Sequence, residues 1–197
     1  ATNGVVYDKL RDRQKSGQSK FDQPPIVLWP DQPDSYIFFP CQLPHDETIK
    51  YHSDVSVADA LRYTIAYCEA RSQQLVIKAH PVNPGSMDEL RKIGSTHMWA
   101  DDININTCIM GADAIVMVNS GVGMESILHG KRVGVFGRAD YDSVVHKITP
   151  DNYLVDFDRM MDCPPTLVKA KYKGFIDAYV EAMVDSTNLD TYNKLLT

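Results

Sequence analysis

No apolar run in this chain approaches the roughly 20 consecutive residues that a bilayer-crossing helix needs. The first residues, ATNGVVYDKLRDRQKSGQ, also lack the apolar segment of a secretory signal, so a cytoplasmic protein is expected. Cysteine is sparse. Cys41, Cys68, Cys108 and Cys163 are widely separated and form no CxxC pair, which excludes a zinc knuckle or a thioredoxin-like motif and leaves reduced, mostly buried thiols. Positive charge is short as well: 20 Lys and Arg stand against 26 Asp and Glu, a formal net charge of -6. That balance opposes non-specific attraction to nucleic acid, although a local basic pocket can still hold one phosphate. His45, Glu47 and His52 lie close together without HxxxH or HExxH spacing, so no metal site is expected. Internal repeats and low-complexity stretches are absent, and no GxGxxG follows the first strand candidate, which argues against an oxidoreductase dinucleotide site.

What is present is the composition of an ordinary soluble domain, 44% hydrophobic and 23% charged, in 197 residues. This suits one well-buried α/β unit and is short for two. Residues 1–20, with Lys9, Arg11, Arg13, Lys15 and Lys20, read as a lead-in helix end or linker. Phe21 to Asp34 contains Pro24, Pro25, Pro30 and Pro33 and reads as loop or extended edge. The expected layout is therefore a lead-in over 1–34, a Rossmann-like domain over 35–185 and a tail over 186–197. Four short unalternating apolar runs are expected as strands buried on both faces: YIFFPC (36–41), LVIKA (75–79), AIVMV (114–118) and RVGVF (132–136). Helices are expected at Val57–Arg71, Ser86–Lys92, Asp101–Met110 and Val122–His129. A last amphipathic helix at Leu167–Val184 should place Tyr172, Phe175, Ile176, Tyr179 and Met183 on one face. Alternation of strand and helix predicts a parallel sheet with helices on both faces.

Ligands of open α/β sheets bind beyond the carboxyl ends of the strands, and all four expected strand ends carry polar or glycine-rich sequence. After the third, Asn119-Ser120-Gly121-Val122-Gly123 leads into a helix and offers Gly backbone, a hydroxyl and free amides to a phosphate. An equally simple reading makes Asn119 or Ser120 the N-cap, with Glu125 complementing the helix dipole. After the second, Pro81 restricts His80 to extended geometry, so its imidazole has a defined direction for meeting a leaving phosphate; a satisfied core histidine is the plain alternative. Lys78 is expected on the opposite strand face and is kept as a secondary candidate. After the first, Asp46 follows Gln42 by four residues and is either a carboxylate acting on an anomeric carbon or a turn cap. After the fourth, Arg138 offers a cation to a carboxylate or phosphate and Tyr141 a stacking or hydroxyl group, with simple surface solvation as the alternative for Arg138.

The order and spacing of FPCQLPHD, VIKAHP and VNSGVGMESILHGKRVGVFGRADY, over about residues 36–146, resemble the Kdo (3-deoxy-manno-octulosonic acid) transferases of bacterial capsule and lipopolysaccharide assembly, the capsule polysaccharide biosynthesis family. The family's Gln-xxx-Asp motif corresponds to Gln42 and Asp46, its His-Pro motif to His80 and Pro81, and its Asn-Ser-x-x-Gly-x-Glu stretch to Asn119, Ser120, Gly123 and Glu125. Gly121 stands where a Thr is common in the family. The resemblance implies the C-terminal, nucleotide-binding half of a GT-B glycosyltransferase using CMP-Kdo. It gives Asp46 the part of nucleophile in a retaining double displacement, and the His-Pro histidine and the serine-led helix start the part of holding CMP. No cofactor or metal is implied, since the leaving phosphate can be met by His80 and helix amides. The implied partners are a CMP-sugar donor, a glycan or glycolipid acceptor, and an N-terminal acceptor domain that this length does not supply and that would bring the general acid/base. Membrane contact, at the inner face of the inner membrane, would be indirect. A CMP-sialic acid-dependent sialyltransferase and a non-catalytic nucleotide-binding domain are the alternatives.

Overall fold

The structure is a computed structural model and describes residues 5–16, 19, 22–82 and 87–183. Lys20, Phe21, Ser86, Val184 and the tail expected at 186–197 lie outside the described residues, as does the side chain of Met183.

The elements follow one another as α1 (Val5–Lys15), β1 (Tyr36–Pro40), α2 (Glu47–His52), α3 (Val57–Arg71), β2 (Gln74–Lys78), α4 (Asp88–Ile93), β3 (Met98–Trp99), α5 (Ile105–Gly111), β4 (Ala114–Met117), α6 (Val122–Leu128), β5 (Arg132–Val135), β6 (His146–Lys147), α7 (Tyr153–Asp162) and α8 (Pro165–Met183). All strand pairs are parallel, in the order β3-β2-β1-β4-β5-β6. This is the doubly wound order, with the chain reversing direction between β1 and β4. The four expected strands form its centre. β1, β2 and β4 are apolar because helices cover both faces: Phe38 faces one core layer with α5, α6 and α8, while Ile37 and Phe39 face the other with α3, α4 and α7.

Local chemistry sets the element ends. Ser56 caps α3, its Oγ accepting from the Asp59 amide at 3.0 Å, and Ser72 ends the helix at φ 51. Asn104 caps α5 through its Oδ1, which accepts from the Asn106 amide at 2.8 Å, so the helix begins after the expected Asp101. Gly130, at φ 68, closes α6 with amides of Gly130 and Lys131 bonded to the carbonyls of Ile127 and Ser126, a turn that needs the left-handed conformation. α8 buries Val168, Tyr172, Ile176 and Val180 at four-residue spacing.

One stretch differs from its expected character. Residues expected as lead-in form α1, which packs on α6 and α8, with Tyr7 buried and its hydroxyl donating to the Ile127 carbonyl at 3.2 Å. Its polar sequence hid one apolar contact line. The Pro-rich stretch is irregular as expected, and it is pinned to α5 by the Asn104 amide group donating to the Pro24 carbonyl.

Candidate functional site

The ladder between β1 and β4 covers only Ile37 with Ala114 and Phe38 with Ile115. The Cys41 amide bonds to Lys78 on β2, and backbone groups alternate in direction, so at Pro40 the group facing β4 is the amide that proline lacks. The two central strands part there. A cavity of about 370 Å³ opens in the gap, at the point where strand order reverses.

Gln42 rebuilds the lost connection with its side chain. Its Oε1 accepts from the amides of Val118 and Asn119 at 3.1 and 3.0 Å, and its Nε2 donates to Asn119 Oδ1 at 2.9 Å. Asn119 in turn donates through Nδ2 to the Thr48 carbonyl at 2.9 Å, tying β4 to α2. Gln42 is therefore buried and bonded through both its amide oxygen and nitrogen, a brace for the cavity wall. Asp46 is the N-cap of α2: its Oδ1 accepts from the Thr48 amide at 2.9 Å and the Thr48 hydroxyl at 2.8 Å. The capping alternative is thus realised, with the carboxylate still on the cavity wall.

From β2, Lys78, His80 and Pro81 reach the same cavity. Lys78 was expected on the opposite face; residues two apart on a strand share a face, so it and His80 point together. Its buried ammonium donates to the carbonyls of Ala100 and Asp101, and desolvation lowers its pKa. His80 accepts through Nδ1 from the Val82 amide at 3.3 Å. Beyond β4, Asn119, Ser120, Gly121, Val122 and Glu125 complete the wall. Ser120 Oγ accepts from the Val122 amide at 3.2 Å within the turn, but the cap residue of α6 is Gly121, so neither Asn119 nor Ser120 is its N-cap. Glu125 accepts from Gln14 Nε2 and Ser19 Oγ, both at 2.9 Å, and burial pushes its carboxyl up to about 7.

Three expected site residues lie elsewhere. Gly123 does not line the cavity; it is buried against Tyr141, whose ring lies 2.2 Å from where a Cβ would stand. Tyr141 is turned into the core, its hydroxyl donating to the Ser120 carbonyl, so it props the turn from beneath and is closed to stacking. Arg138 points to solvent and donates to the Tyr51 carbonyl at 3.1 Å, away from the cavity. The loop after β5 is drawn toward α2, where the Arg138 amide bonds to His52.

Two groups escaped sequence reading. Asp101 accepts from the Ala79 amide at 2.9 Å and from Arg91, whose guanidinium lies 4.4 Å from the Trp99 ring centre. This clamp fixes the strand end that carries His80. Gln14 and Ser19 come from the expected lead-in, and no local signal links them to Glu125. Cys41 also lines the cavity, but burial pushes its thiol up, so it is no ready nucleophile. Among the described residues no group of three or more His, Cys, Asp or Glu side chains is arranged to hold a metal ion. Nor is any described helix long and apolar enough to cross a membrane.

A six-stranded parallel sheet in this order, with a polar crevice at the reversal point, defines a Rossmann-like α/β domain. The chain belongs to the capsule polysaccharide biosynthesis protein family, whose model matches residues 8–190. It is similar to the capsule polysaccharide export protein KpsS of Escherichia coli, 26% identical over 148 residues that make up 68% of this chain and 38% of KpsS. The capsule polysaccharide modification protein LipB of Neisseria meningitidis is 24% identical over 136 residues, 62% of this chain and 32% of LipB. The chain thus matches only about a third of the length of these relatives. Among solved structures, the β-Kdo 2,4 transferase of Thermosulfurimonas dismutans KpsC aligns with TM-score 0.58 at 18% identity, over 85% of this chain and 52% of that one. A UDP-GlcNAc 2-epimerase of Methanocaldococcus jannaschii, in complex with UDP-GlcNAc and UDP, aligns with TM-score 0.53 at 10% identity, over 90% of this chain and 53% of that one. Both likenesses are of fold.

Proposed function

We propose that the crevice binds the nucleotide of CMP-Kdo and that this chain is the donor-binding part of a glycosyltransferase moving Kdo to a glycan or glycolipid acceptor in capsule synthesis. One observation carries the reading. Three motifs far apart in sequence, Gln42 with Asp46, Lys78 with His80, and Asn119-Ser120 with Glu125, meet in one cavity of about 370 Å³ at the reversal point of the sheet. Membership of the capsule family and a fold shared with a Kdo transferase and with an epimerase that holds UDP-GlcNAc support a nucleotide sugar as occupant.

In this reading Lys78 and His80 face the departing phosphate, the role the Arg138 cation does not fill. An Asp46 carboxylate oxygen bonds to the anomeric carbon as the bond to CMP breaks, and CMP leaves with the electron pair. The acceptor hydroxyl then displaces Asp46 from the opposite side, passing its proton to a base from another part of the protein; two inversions give retention. Thr48 suits the first step, since its two donors to one Asp46 oxygen orient the carboxylate. The same cap also fits a second reading, a nucleotide-binding domain without chemistry.

Asp46→Asn separates the two, because Asn caps helices as well as Asp does. The variant is expected to bind CMP within about twofold of wild type and to lose transfer from CMP-Kdo by about a thousandfold or more. Full transfer would remove Asp46 as nucleophile. Thermal shifts compared between CMP-Kdo and CMP-sialic acid distinguish the two donors.

A further inference from the structure

Gln14 lies in the last turn of α1 and Ser19 comes after the helix, in sequence that reads as a linker, yet both meet the crevice wall. Gln14 Nε2 lies 2.9 Å from Glu125 Oε2 and 3.0 Å from Asn106 Oδ1, and Ser19 Oγ lies 2.9 Å from Glu125 Oε1. Asn106 Oδ1 also meets His129 Nε2 at 2.8 Å. An amide oxygen only accepts, so His129 is the donor there. Gln14 and Ser19 thus both donate to one carboxylate on α6, and Gln14 is tied in turn to Asn106 on α5.

We infer that Gln14 and Ser19 are positioning residues of the donor crevice, aiming the Glu125 carboxylate as an acceptor for sugar or ribose hydroxyl groups. The inference rests on the donor-site reading above and extends the site to a segment outside the sheet. The physical case is a balance at Glu125. Burial disfavours its charge and pushes it up to about 7, while the bonds from Ser19 and Gln14 pull the other way. Among the described residues no cation forms an ion pair with it, so neutral donors do this work. His129, one turn along α6, is held down to about 4 by burial and by Lys131 and Lys15, and therefore stays neutral near pH 7. The other titratable groups on the crevice wall are Lys78 and His80 from the β2 end, Asp46 at the α2 cap and Cys41, whose thiol burial pushes up. Glu125 consequently ionises as pH rises through about 7, and its acceptor capacity grows in that window.

The test is a pair of measurements on wild type, Gln14→Leu, Ser19→Ala, Ser19→Thr and Glu125→Gln. Carbon-detected NMR follows the Glu125 carboxyl titration in the free protein, and calorimetry follows CMP affinity from pH 6 to 9. Gln14→Leu and Ser19→Ala are each expected to raise the Glu125 midpoint by about half a unit to one unit. CMP affinity at pH 7 should fall about two- to fivefold, with the difference shrinking toward pH 9 as the carboxylate ionises regardless. Ser19→Thr keeps the hydroxyl and should keep the wild-type midpoint; Glu125→Gln should lose the component of pH dependence that these variants shift. A loosened α1 would lower thermal stability without moving the carboxyl midpoint. Unchanged midpoints in Gln14→Leu and Ser19→Ala, beside intact CMP binding by wild type, overturn this inference alone. Failure of wild type to bind CMP at any pH overturns the donor-site reading and this inference with it.

Discussion

Two loops on the same rim of the sheet are both polar and glycine-containing, yet have opposite fates. After β4, Asn119-Ser120-Gly121-Val122-Gly123 lines an open cavity; after β5, Gly137-Arg138-Ala139-Asp140-Tyr141 does not. Position in the sheet makes the difference. β4 borders β1 across the reversal point, where Pro40 ends the ladder and leaves a gap that side chains bridge. β5 borders β6, and its end is closed: the Ile148 amide bonds to the Val135 carbonyl, and Lys147 Nζ donates to the carbonyls of Phe136 and Gly137, both at 2.6 Å. With its strand end filled, the second loop turns Tyr141 inward to brace the first and leaves Arg138 to solvent. Polar sequence at a strand end thus becomes a site only where the topology leaves room.

The largest effect should come from breaking the bridge. Gln42→Ala leaves the Val118 and Asn119 amides without their acceptor, a cost of about 2–4 kcal/mol, read as a lower midpoint in urea unfolding and as lost CMP binding. An unchanged midpoint would mean that the cavity wall does not depend on this side chain. Next come two glycines within the first loop. Gly123→Ala forces a methyl into the Tyr141 ring and should cost about 1–3 kcal/mol, whereas Gly121→Ala, with nothing within 4 Å of its new carbon, should stay within about 0.5 kcal/mol. Equal effects on thermal unfolding would break the distinction between the buried and open sides of this turn. Smaller still, Tyr141→Phe removes the hydroxyl that meets the Ser120 carbonyl and Met117 Sδ and should cost about 1 kcal/mol, with CMP binding weakened only a few-fold. Loss of binding as complete as in Gln42→Ala would place Tyr141 in the cavity after all.

The central sheet was legible because burial on both faces writes itself as continuous apolar runs: Tyr36–Pro40, Gln74–Lys78, Ala114–Met117 and Arg132–Val135 lie within a residue of the runs that predict them. β3 and β6 were not, since two residues each, one exposed and one half-buried, carry no pattern. α7 was missed although Phe157 and Met160 are buried, because Asp156, Asp158 and Arg159 interrupt the apolar positions. In the site, motifs that sit at strand ends could be placed, including Asp46, His80 and Ser120. Side-chain direction past the strand could not. Whether Tyr141 turns inward depends on what fills the space below Ser120, and whether Asp101 reaches Ala79 depends on the packing of Arg91 over Trp99. Gln14 and Ser19 were least visible, being separated from Glu125 by more than a hundred residues and joined to it only by the docking of α1.

Calorimetric titration of CMP into wild type, His80→Ala and Arg138→Ala tests the donor assignment most directly. The crevice reading predicts saturable binding by wild type, a loss of about tenfold or more in His80→Ala, and wild-type affinity in Arg138→Ala. Equal affinity in wild type and His80→Ala, or a loss confined to Arg138→Ala, would contradict it.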